Sequence, residues 1–276
     1  MQQTINGASL HWREAGAGDA VLFVHGFPFD CTIFEPQLAA APEGWWFVTP
    51  DLRGFGASTA PGREPLTMDL FADDLVALMD HLGIRQAVVC GLSMGGYVAL
   101  SLAMRYADRV RALVLVATRA KADGPETRKN RLAMAARVRA EGAQPLVDSM
   151  LPTLLSAHSR MKQPELVAKL TAMMGGIAPG TLARALEGLA QRKDYTNELG
   201  SIEIPTMAVR GEQDEIIPAP DIEMIARMVR GAHLESIALV AHLPNLEAPD
   251  FFNNVLEKYL KYLPPVTEVG DFTLTF

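Results

Sequence analysis

The stretch Ala87-Val88-Val89-Cys90-Gly91-Leu92-Ser93-Met94-Gly95-Gly96 decides how the rest of the chain is read. It opens as a short unbroken apolar run, passes through a glycine-flanked serine, and continues into an alanine-rich segment that reads as a helix from Met94 to Tyr106. An apolar run of this length, closed by turn residues, suits a strand buried on both faces. Gly91-Leu92-Ser93-Met94-Gly95 is then a G-x-S-x-G sequence between a strand and a helix, the setting of a nucleophile elbow. A serine at so sharp a turn needs small neighbours, which Gly91 and Gly95 supply, and Gly96 lets the helix approach the sheet. The turn also puts Ser93 at a helix N-terminus, where backbone N–H groups and the dipole favour negative charge. The plain structural alternative is an N-capping serine in a glycine-rich turn.

Outward from this stretch the same rhythm repeats. Ala20 to Val24 is an apolar run ending at His25-Gly26, Trp45 to Thr49 ends at Pro50-Asp51, and Val110 to Val116 is rich in Leu and Val. Between them, Thr67 to Leu82 carries Leu70, Phe71, Leu75, Leu78, Met79 and Leu82 at helical spacing. Strand–helix alternation predicts a parallel sheet with helices on both faces. Thr4 to Glu14 alternates weakly and suggests an antiparallel edge hairpin. The rhythm breaks after Val116. Over 119–198 no strand is evident, and helical segments follow Pro125, Pro145, Pro164 and Gly180, proline being a favourable residue in a first helical turn. The chain thus divides into a core of 1–118 and 199–276 with a helical cap, 119–198, inserted in it. Strands resume at Thr206 to Val209 and His233 to Ile237, with helices at Asp221 to Val229 and Pro249 to Tyr262. The tail 263–276 either adds an edge strand or hangs loose.

The chain has 276 residues, 49% hydrophobic and 21% charged, enough for one sizeable core and a small accessory unit. A net charge of -7 leaves no basic footprint for nucleic acid and little attraction to anionic lipid. No run approaches about 18 uninterrupted apolar residues, so no membrane span is expected. Met1-Gln2-Gln3-Thr4 does not begin like a signal peptide. The two cysteines, Cys31 and Cys90, are too few for a disulfide framework, and a reduced, cytoplasmic setting is expected. Neither has a Cys or His partner at metal-ligand spacing. Both read as small buried hydrophobes.

A serine hydroxyl is a weak nucleophile until a base takes its proton, and the base is in turn oriented by a carboxylate. In a strand–turn–helix site of this kind the chain order is Ser, acid, His. Of six histidines only His158, His233 and His242 follow Ser93. His158 falls in the insertion and His233 opens a predicted strand. His242 sits in a loop after a strand and is the expected base. The expected acid is Asp214, in the loop after Thr206 to Arg210. Glu212 and Glu215 compete with it and read as solvated loop charges. An oxyanion needs two N–H donors: Met94, following the serine, and Phe27, in the loop His25-Gly26-Phe27-Pro28. His25 reads as structural, bonding within its loop.

Together, His25 to Pro28, Asp51-Leu52-Arg53-Gly54-Phe55-Gly56-Ala57-Ser58, Gly91 to Gly96, Gly211 to Asp214 and His242-Leu243-Pro244-Asn245-Leu246-Glu247 resemble α/β-hydrolase-fold carboxylesterases, and in particular bacterial esterases and 3-oxoadipate enol-lactonase-like proteins. The resemblance spans about Val21 to Leu263. It implies a mostly parallel eight-stranded sheet, helices on both faces and a helical cap over the site. In such proteins glycine usually precedes the histidine, whereas this chain has Ala241. Asp51 to Ser58 reads as a turn supporting the site.

The expected activity is hydrolysis of a small carboxylic ester through an acyl-enzyme, with no metal or organic cofactor and a small-molecule ester or lactone as partner, in a monomer or homodimer. Enol-lactone hydrolysis, a cofactor-free perhydrolase or haloperoxidase reaction and carbon–carbon bond hydrolysis use the same machinery. A ligand-binding receptor on the same fold is the non-enzymatic alternative, and a complete Ser, Asp and His set argues against it. Met134, Met150, Met161, Met173 and Met174 either line a pocket for apolar groups or only hold the cap together. Arg128, Lys129, Arg131, Arg137 and Arg139 form either a solvated face or a means of steering an anionic substrate.

Overall fold

The structure, a computed structural model, describes residues 1–263. Its strands are β1 (Gln2–Ile5), β2 (Ala8–Gly16), β3 (Asp19–Val24), β4 (Trp45–Pro50), β5 (Ala87–Leu92), β6 (Val110–Val116), β7 (Thr206–Gly211) and β8 (His233–Ile237). They form one sheet in the order β1-β2-β4-β3-β5-β6-β7-β8. β2 runs antiparallel to both β1 and β4, and every pairing from β4 to β8 is parallel. The expected edge hairpin is thus β1 and β2.

The helices are α1 (Glu35–Ala39), α2 (Met68–His81), α3 (Met94–Arg105), α4 (Pro125–Glu141), α5 (Gln144–Leu154), α6 (Ala157–Lys162), α7 (Pro164–Gly176), α8 (Pro179–Ala190), α9 (Ala219–Met228), α10 (Pro244–Glu247) and α11 (Pro249–Tyr262). No single helix among the described residues is long and apolar enough to cross a membrane.

The central strands are apolar throughout because both faces are covered. Side chains alternate across a strand, so each strand feeds two cores. Leu22 and Val24 of β3, Val89 of β5, and Leu113 and Leu115 of β6 pack with α2 and α3 through Phe71, Leu75, Leu78, Val98 and Leu102. Val21, Phe23, Val88, Cys90, Val114 and Val116 point the other way, toward Phe29, Ile33, Phe34 and the α11 residues Phe252, Leu256 and Leu260. Thr67 caps α2, its side chain accepting from the Leu70 N–H.

Between β6 and β7 the chain forms α4 to α8 and no strand. Four helices are expected there from the Pro and Gly punctuation; the fifth, α6, has only six residues. It escapes a periodicity reading because it is too short to show a repeat, and its start is marked only by Ser156, which accepts from the Ser159 N–H. β5 also runs through Gly91 and Leu92, two residues past the apolar run. The tail after Leu263, for which an edge strand and a loose end were both open, lies outside the described residues.

One buried ion pair ties the β4 loop to α2. Arg53 donates from Nε and Nη2 to Asp74 at 2.7 and 2.6 Å, and the Asn6 side chain donates to the same carboxylate at 2.8 Å. The two ionic side chains are 7% and 2% exposed. Removing one partner strands the other's charge. Arg53→Leu is therefore expected to lower unfolding stability by about 3–5 kcal/mol, read as a drop in the urea midpoint at unchanged slope.

Candidate active site

Ser93 sits at φ 53°, ψ -111°, between the end of β5 and the first turn of α3. A non-glycine residue in this region carries backbone strain of about 1–3 kcal/mol and persists only where its surroundings over-determine it. Here they do. The Ser93 N–H donates to the Val116 carbonyl at 2.8 Å, and the Thr118 hydroxyl donates to the Ser93 carbonyl at 2.8 Å. The Ser93 side chain makes no capping bond to α3, so it is not an N-cap in the sense of the structural alternative.

The two glycines of the motif are required by close approach. A Cβ on Gly95 would lie 1.9 Å from the Val24 carbonyl oxygen, and one on Gly91 would lie 2.3 Å from the Gly95 oxygen. Helix α3 thus starts against the backbone of β3, and the loop leaving β3 passes directly beside the serine. The sheet order reverses at this point: β4 lies to one side of β3, and β5 crosses back to the other. The C-terminal edge beside such a reversal is where ligands bind in open parallel sheets.

The loops after β7 and β8 bring Asp214 and His242 to the same edge. His242 Nδ1 lies 2.9 Å from Asp214 Oδ2, with side chains 1% and 4% exposed. Asp214 Oδ1 meanwhile accepts the N–H groups of Ile216 and Ile217 at 2.8 and 3.1 Å. Burial alone would push the Asp214 carboxyl up. His242 and these two backbone donors outweigh burial and hold it below the ordinary carboxylate range. An ionised Asp214 accepts from Nδ1–H and so leaves Nε2 of the neutral ring as a proton acceptor. The competing residues lie elsewhere: Glu212, Glu215 and His158 are exposed, and His233 pairs locally with Glu235 at 3.2 Å.

The loop after β3 is held from behind. His25 is fully buried, and its Nε2 accepts the Leu52 N–H at 2.9 Å while Nδ1 donates to the Gly26 carbonyl at 2.9 Å. Burial pushes the His25 imidazole below its ordinary value, which suits a neutral ring used as a brace. The Asp51 to Ser58 turn supplies Leu52. It is pinned by Asp51, whose carboxylate accepts from the N–H groups of Cys31 and Ala57 at 2.7 and 2.9 Å and lies 2.8 Å from His11 Nδ1. His11, Cys31 and Asp51 are the group among the described residues whose ligand atoms could meet at a metal, within 4.8 Å of one another. Burial and Asp51 push the Cys31 thiol up, and the Asp51 oxygens are already engaged, so the cluster behaves as a hydrogen-bonded brace.

Phe27, Ser93, Met94 and His242 line one cavity of about 60 Å³, with Tyr97 from α3, Arg119 from the loop after β6, and Ile216 and Ile217 from the loop after β7. Met94 opens α3, so its N–H is one of the helix's unsatisfied donors. The insertion contributes Arg131, Met150 and Leu189. Of the five insertion methionines only Met150 reaches the cavity: Met174 is in the core, Met161 is 69% exposed, and Met134 and Met173 pack elsewhere.

Glu247 takes part in holding this site, and no separate role follows for it from the sequence. Its buried carboxylate accepts from the N–H groups of Ala241 (2.8 Å), Leu243 (3.3 Å) and Ser156 (2.8 Å). One side chain therefore grips both residues flanking His242 and the start of α6. Ala241 is accommodated without strain, since it is not among the residues at positive φ. Glu247→Ala leaves these buried donors without their acceptor. It is expected to lower stability by about 3–5 kcal/mol, measured by urea denaturation, with Glu247→Gln losing less.

With this geometry in view, the likeness to known proteins is specific. Residues 19–249 match the family model described as alpha/beta hydrolase fold. The chain is 28% identical over 260 residues to 3-oxoadipate enol-lactonase 2 of Acinetobacter baylyi, covering 94% of this chain and 95% of that protein. A thermophilic esterase from Thermogutta terrifontis, solved with malate bound, superposes with a TM-score of 0.92 at 35% identity, covering 95% of this chain and 98% of the other. The enol-lactonase from Burkholderia xenovorans LB400 superposes at 0.88 with 28% identity, covering 95% and 100%. A strained serine at the reversal of a mostly parallel eight-stranded sheet and a family match over residues 19–249 agree: the chain belongs to the α/β-hydrolase-fold family.

Proposed function

We propose that this protein is a serine esterase that hydrolyses small carboxylic esters through an acyl-enzyme. The observation that carries this reading is one arrangement: a strained Ser93 and an Asp214-bound His242 line the same small cavity as Phe27 and Met94. Ser93 Oγ attacks the ester carbonyl carbon while His242 Nε2 takes its proton. The resulting oxyanion accepts hydrogen bonds from the backbone N–H groups of Phe27 and Met94, donors fixed in place before the charge develops. The carbon–oxygen bond to the alcohol breaks, and the alcohol leaves with the proton from His242. Water then attacks the acyl carbon, His242 takes its proton, and the acid departs as Ser93 recovers its own. Asp214 holds the imidazole in the tautomer this needs.

The helices between β6 and β7 act as a cap in this scheme, closing the cavity with Met150 and Leu189. A lactone is a cyclic ester and passes through the same steps. The likeness to enol-lactonases over nearly the whole chain favours lactones as a second substrate group.

Turnover of short p-nitrophenyl esters and covalent labelling of Ser93 by a fluorophosphonate are the direct tests, and absence of both would overturn the proposal. Ser93→Ala or His242→Ala is expected to lower kcat by roughly 10⁴–10⁶, with an unchanged circular dichroism spectrum. Asp214→Asn is expected to lower kcat by about 10⁴, whereas Glu212→Gln stays near the parent value. The reverse ranking would move the acid to Glu212.

A further inference from the structure

The insertion and the β6 loop put two arginines into the cavity that holds Ser93. Arg119 and Arg131 both line it, with side chains 19% and 21% exposed. The other basic residues of the first insertion helix, Arg128, Lys129, Arg137 and Arg139, are exposed, and the last two pair with Glu141 and Glu187. Arg131 is thus set apart from the solvated face to which its neighbours belong.

The counter-charges behind the pair are shared. Asp123 is fully buried and serves Arg119, Arg131 and Arg192 at once. Burial would raise its carboxyl; Arg131 and Arg192 outweigh this and keep it ionised. Asp221 reaches Arg119 at 3.3 Å. Arg119, Arg131 and Arg192 therefore share the carboxylates of Asp123 and Asp221, and two of the three line the cavity. Arg119 Nε is buried and has no hydrogen-bond partner among the described residues. Among those residues, Arg131 bonds only through Nε, to Asp123, leaving its terminal nitrogens as donors. Unmatched guanidinium donors at a half-buried cavity wall are the chemistry that recognises a carboxylate.

We propose that Arg119 and Arg131 form an anion subsite, so that the preferred substrates are esters or lactones carrying a free carboxylate a few atoms from the scissile carbonyl. This rests on the ester-hydrolysing reading of the same cavity. The charge acts where low exposure weakens screening, so it discriminates between substrates of equal shape and unequal charge.

The test uses matched pairs: monomethyl succinate and monomethyl glutarate, each against its neutral monoamide methyl ester, at two ionic strengths. For the parent chain kcat/KM is expected to favour the anion by about tenfold or more for one of the two lengths, less at high salt. In Arg131→Gln the anion-to-amide ratio is expected to fall at least about tenfold, with partial recovery in Arg131→Lys; Arg119→Gln is the second variant. Both esters are read in every variant, so a general loss of activity cancels in the ratio. A parent ratio at or below one, or a ratio unmoved by either glutamine variant, would show that the arginines only tie the insertion to the core. A binding arm stands apart from turnover. Succinate and glutarate are titrated calorimetrically into Ser93→Ala, with succinamide as control. Binding weakened about tenfold by Arg131→Gln supports the subsite, and no binding or unaltered binding overturns it. If no ester of any charge is hydrolysed, the esterase reading falls, and the titration still decides the anion subsite.

Discussion

The close backbone approach where β5 turns into α3 is the constraint on which the rest of the site depends. Gly95 lies against the Val24 carbonyl with no room for a side chain, and Gly91 against the Gly95 carbonyl. That contact brings the start of α3 and the end of β3 together at one point of the sheet. It forces Ser93 into a backbone region that a serine enters only when held there. Val116 and Thr118, from the end of β6 and just beyond it, hold it. Three adjacent strands thus fix one residue, and the first N–H of α3 and the loop after β3 come with it.

Around this point the protein uses buried carboxylates as clamps. Asp51 braces the turn behind His25, Asp74 receives Arg53 and Asn6, Asp214 aligns His242, and Glu247 grips the backbone on either side of that histidine. A buried carboxylate is costly unless several donors converge on it, so each clamp is satisfied by groups from distant parts of the chain. Asp123 differs in one respect. It gathers three arginines, of which Arg119 and Arg131 line the cavity.

Much of the fold was legible because buried parallel strands leave a direct trace: Ala20 to Val24, Ala87 to Cys90 and Val110 to Val116 are apolar without interruption since both faces are covered. The helical stretch between β6 and β7 was legible from the loss of that rhythm and from its Pro starts. Helix α6 was not, because six residues cannot show a period. Asp214 and His242 were picked out by chain order and by loops following strands, and the structure sets them 2.9 Å apart. The reach of Met150 alone among the insertion methionines had no sequence signal, since a methionine on a core face and one on a cavity face have the same spacing. Glu247 left only a faint trace, a carboxylate among apolar residues just after the histidine loop.

The sequence by itself determined the layered sheet, the position of the turn at Ser93 and the short list of residues able to supply a base and an acid. Those are local matters: burial pattern, glycine placement and order along the chain. Only the tertiary structure decided that Ser93 is strained and does not cap α3, that His25 reaches the Leu52 N–H of the β4 loop, that Glu247 joins the His242 loop to α6, and that Arg119 and Arg131 share a cavity with the serine. Each of these depends on groups tens to more than a hundred residues apart meeting within a few ångströms, and on how many buried charges converge at one place. Neither can be read from spacing along the chain.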